Sequence, residues 1–92
     1  MVTKAEIVAF LKEHPDYVKT LEKAVEHEEQ NVSNKSYLGW EWYDVETLGA
    51  KLMRLVTSGI VRVNFKSRSA TCYLLKDKES VKEALKLIGR TV

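Results

Sequence analysis

Four stretches of the chain repeat apolar residues at intervals of three and four, and a fifth alternates them every second position. In "TKAEIVAFLKEH" the residues Ile7, Val8, Phe10 and Leu11 fall on one helical face. Thr3 stands where an N-cap belongs, and Glu6 three residues on completes a capping box. Pro15 ends this helix and suits the first turn of a second, in which Asp16 meets the positive end of the dipole and Val18, Leu21, Ala24 and Val25 form a stripe. That stripe fades in "EHEEQNVSNKS", which reads as a polar loop running toward Tyr43.

Asp44 is positioned to cap a third helix over 44–58. Val45, Leu48, Leu52, Leu55 and Val56 would be its buried face, with Glu46, Thr47, Ala50, Lys51, Arg54 and Thr57 opposite. Gly59 is the expected left-handed stop. "IVRVNF" then sets Val61, Val63 and Phe65 against Arg62, Asn64 and Lys66, and "ATCYLL" follows across "KSRS", which predicts a β-hairpin. Asp77 opens a last helix striped by Val81, Ala84, Leu85 and Ile88 and stopped at Gly89. In "WEWY" the alternation sets Trp40 and Trp42 on one side, a short strand beside the hairpin, with packing as their default role.

Order and spacing resemble the winged helix-turn-helix superfamily, an α+β class. The residues that carry the resemblance are "LGAKLMRLVTSGIVRVNFKSRSATCYLL", a helix ending in Gly-Ile-Val that leads into a wing returning through a tyrosine and a leucine. It covers about residues 44–76. It implies that the helix 44–58 is a recognition helix for the DNA major groove and that Lys66 to Ser69 form the wing tip.

Charge sharpens this expectation. Residues 1–46 hold five basic and ten acidic side chains, a net of −5, whereas residues 47–92 hold ten basic and three acidic, a net of +7. From Thr47 to Lys76 there is no carboxylate at all. A surface that meets phosphate excludes carboxylates and carries Lys and Arg, each able to displace a counterion. The expected DNA-binding set is Thr47, Lys51, Arg54, Arg62, Lys66, Ser67 and Arg68, with Arg62 and Lys66 on one side of the first strand and Arg68 at the tip. Hydroxyls such as Thr47, Ser67 and Ser69 would contact phosphate without specifying a base.

Other chemistry is sparse. The length of 92 residues fits one domain, and no apolar run reaches the length of a membrane span. The single cysteine, Cys72, excludes an internal disulfide, so a cytoplasmic, metal-free protein is expected. His14 and His27 belong to no ligand pattern, and the scattered glycines cradle no phosphate, so neither an enzyme, a cofactor nor a small-molecule substrate is indicated. The reading is a double-stranded DNA-binding transcription regulator, a homodimer through its first or last helix, with Phe10 and Leu87 as the spare apolar residues. The alternative is a winged-helix protein-interaction module of a larger nucleic-acid-processing assembly.

Overall fold

The computed structural model describes residues 2–91. Four helices and a two-stranded antiparallel sheet follow in the order α1 (Lys4–Glu13), α2 (Tyr17–Gln30), α3 (Gly49–Ser58), β1 (Val61–Lys66), β2 (Thr71–Leu75) and α4 (Lys78–Thr91). Helix α1 begins with the reciprocal bonds expected of Thr3 and Glu6, and buries Ile7 and Leu11. It packs along α4, which also contacts α2, while α3 lies on β1 and α2 on β2. One core joins all six elements. Leu21 and Ala24 of α2, Leu52 and Leu55 of α3, Val61 and Leu75 of the hairpin, and Val81 and Ala84 of α4 are all buried in it.

Three elements differ from their sequence expectation. Helix α2 starts at Tyr17, after a turn containing Pro15 and Asp16, and runs to Gln30, so that the polar "EHEE", where the apolar stripe fades, is its solvated end. Its polar end is held by tertiary partners: Glu28 accepts from the hairpin, and Glu29 pairs with Lys78 and Lys82 of α4.

Helix α3 is shorter than 44–58. Asp44 caps a turn instead, its carboxylate accepting from Glu41 N–H at 2.9 Å, and Glu46 has a left-handed φ of 53° that no helix continues through. Val45 is buried from within this turn, whereas Leu48, expected in the core, is 65% exposed as the residue before the helix. At the far end Gly59 adopts the expected left-handed conformation, φ 86°. Helix α4 is preceded by Asp77, whose carboxylate accepts from the backbone and hydroxyl of Ser80. It passes through Gly89 without stopping.

The hairpin contains a bulge at Asn64. Arg62 pairs with Leu74 and Val63 with Tyr73, but Phe65 pairs with Cys72 and Lys66 with Thr71. Paired residues share a face, so the bulge turns Phe65 to the side opposite Val63 and Lys66 to the side opposite Arg62. Neither Val63 nor Phe65 is buried. On the free edge of β2, Trp40 forms an antiparallel bridge with Tyr73, their backbones exchanging bonds of 3.0 and 2.8 Å. Where a short strand through "WEWY" is expected, only Trp40 pairs with the hairpin, and residues 42–46 form a turn. Gly39 makes the Trp40 bridge possible, because at φ 131° a Cβ there would stand 2.4 Å from Tyr73 O.

Candidate nucleic-acid interface

The hairpin tip is built by Ser67. Its N–H donates to Ala70 O at 2.8 Å, and its hydroxyl accepts from Ala70 N–H at 3.2 Å. Ser67 therefore shapes the turn, and it is exposed at the tip. Lys66 and Arg68 project beside it into solvent. Arg62 is exposed on the other face, its guanidinium donating to Asn64 Oδ1 at 2.8 Å, and Asn64 in turn donates to Leu38 O. The hairpin cations thus straddle the strands, where alternation alone set Arg62 and Lys66 on one side.

Helix α3 divides the rest of the expected set. Arg54 is exposed. Lys51 faces α2, where its ammonium pairs with Asp16 at 2.5 Å and lies 5.2 Å from the centre of the Tyr17 ring. That hydrogen bond raises the Lys51 pKa and lowers that of Asp16. Thr47 is buried, 6% exposed, with its hydroxyl 2.6 Å from that of Thr20 and donating to Val45 O. Its expected phosphate contact is ruled out by this position: the hydroxyl ties the loop to α2.

Between the body and the hairpin tip lies a groove of about 370 Å³ lined by Glu41, Trp42 and Gly49 on one side and by Lys66, Arg68 and Thr71 on the other. Trp42 and Tyr43, separated from Trp40 by two residues at most, have the opposite fate to that ring. Trp40 is fully buried, stacked on Tyr73 at 5.4 Å, while Trp42 is 50% exposed with its ring edge-on to Tyr43. The Tyr43 hydroxyl donates to Glu41, and this bond pushes the Tyr43 pKa up to about 12. The stretch free of carboxylates in sequence is thus met in space by Glu41. Sequence periodicity paired the two tryptophans and held no sign that only one would reach solvent.

Elsewhere the candidate chemistry is spent on structure. His14 packs against Phe10 at 4.8 Å, Phe10 is partly buried against the core, and Leu87 is exposed on α4. Burial raises the pKa of Cys72. Among the described residues no helix is long and apolar enough to cross a membrane, and no three His, Cys, Asp or Glu side chains gather as a metal site. In comparisons with known proteins, no family model matches the chain, nor does any curated protein or solved structure.

Proposed function

We propose that the chain is a winged helix-turn-helix domain that binds double-stranded DNA without catalysis, with the hairpin as its wing and α3 as the helix presented to the duplex. The succession of α2, the Trp40 bridge, α3, a glycine stop and a hairpin supports this reading. The observation that carries it is the distribution of ion pairs. All five salt bridges among the described residues engage helix lysines, namely Lys4, Lys23, Lys51, Lys78 and Lys82. Arg54, Arg62, Lys66 and Arg68 have no such carboxylate partner among those residues and are exposed, as are Lys12, Lys19, Lys35, Lys76 and Lys86; what distinguishes the first four is that three of them lie on the hairpin and Arg54 on the helix that leads into it. Cations left unpaired on a projecting element raise the local potential that draws a polyanion.

A second reading is favoured by the exposed apolar residues at the start of α3. Leu48 and Met53, 65% and 55% exposed, with Tyr43 nearby in sequence, suit a protein partner. Mobility-shift titration separates the two. DNA binding requires a shift of random-sequence duplex in dilute salt that weakens for all sequences alike in R62A/K66A/R68A. A wild-type protein that shifts no duplex would leave the partner reading standing.

A further inference from the structure

A groove made only to receive phosphate would not hold a carboxylate, yet Glu41 lines this one opposite Lys66 and Arg68. Its position is fixed by the Tyr43 hydroxyl, and the same tyrosine sets the Trp42 ring, the two centroids 5.8 Å apart at 85°. The groove therefore combines a half-exposed indole, an anchored acceptor and two cations.

We infer that this groove holds one unpaired nucleobase, guanine in preference to the others, of a nucleic-acid strand whose phosphates lie along Lys66 and Arg68. The inference rests on the hairpin being a nucleic-acid surface, and adds what that surface selects. Any base can stack on Trp42, because every base has a π-face. Guanine alone offers two adjacent donors, N1–H and the N2 amino group, to a single carboxylate. Adenine and cytosine present a ring nitrogen acceptor beside their amino group, and thymine flanks its one N–H with carbonyl oxygens that Glu41 would repel. In a duplex the guanine donors are consumed by pairing, so the groove discriminates for a base that has left the helix.

The test uses the whole protein and three labelled duplexes at one salt concentration: fully paired, with a single extrahelical guanine, and with a single extrahelical thymine. The guanine-bulged duplex should bind about tenfold more tightly than the paired one, in keeping with the usual contribution of base–aromatic stacking. It should also quench tryptophan fluorescence, since Trp42 is the exposed member of the two tryptophans. W42A should reduce this duplex to the paired level, W42F should retain most of the preference, and E41Q should equalise guanine and thymine while both still exceed the paired duplex. Equal affinity for all three duplexes, or a preference that survives W42A, overturns the base site and leaves duplex binding intact. Failure to bind any of the three overturns the hairpin surface and the base site together.

Discussion

Glu28, near the end of α2, accepts a hydrogen bond from the buried Trp40 ring nitrogen at 2.9 Å, and the same carboxylate oxygen accepts from Leu75 N–H at 2.8 Å. One side chain thereby joins α2, the Trp40 bridge and the end of β2. E28A would leave both donors without a partner and should cost about 2–4 kcal/mol, since each unsatisfied buried group costs about 1–3 kcal/mol. E28Q keeps an acceptor and should cost less. Urea unfolding of the two variants checks the order; an E28A protein as stable as wild type would mean that the staple contributes nothing.

The buried Thr20–Thr47 hydroxyl pair likewise ties α2 to the loop before α3. T47V should destabilise by about 1–2 kcal/mol by stranding Thr20, and T20V/T47V should recover part of the loss because both partners are then apolar. Neither variant should change affinity for duplex DNA. A T47V protein of normal stability and weakened DNA binding would restore the phosphate role that burial removes.

What the sequence revealed and what it hid divide along the range of the forces involved. The Thr3–Glu6 box, the Gly59 stop and the hairpin are determined by residues a few positions apart, and local pattern sufficed for them. The end of α2 depends on Glu28 and Glu29 meeting Leu75, Lys78 and Lys82, partners more than forty residues away. The start of α3 misled for another reason: Val45 is buried as a helical stripe would have it, but from a turn that the left-handed Glu46 separates from the helix. At the candidate site Arg54, Arg62, Lys66 and Arg68 were legible as exposed cations. The bulge that reverses Lys66 and the approach of Glu41 depend on register and loop path, which a charge pattern does not encode.

Acid should loosen the body of the protein. Hydrogen bonds from lysines hold three carboxylates below their ordinary values: Asp16 through Lys51, Glu29 through Lys82 and, to a smaller degree, Lys78, and Glu46 through Lys23. A carboxylate depressed in the folded state stabilises it above the unfolded pKa, 3.8 for Asp and 4.5 for Glu, and that contribution disappears as pH falls through the folded value. The urea midpoint should therefore hold from pH 7 to about 5 and decline below about 4.5. All three groups are solvent-exposed, so added salt should flatten the decline. A midpoint unchanged down to pH 3 would show that these pairs do not support the fold.

Salt dependence of duplex binding tests the central claim most directly. The four proposed contacts, Arg54, Arg62, Lys66 and Arg68, all exposed, at about 0.9 per neutralised phosphate, set an expected slope of log affinity against log salt of about −3.6. R68A should bring that slope about one unit closer to zero, whereas removing Lys51, already paired with Asp16, should leave it nearly unchanged. A slope near zero, or no binding in dilute salt, would contradict a DNA-binding hairpin.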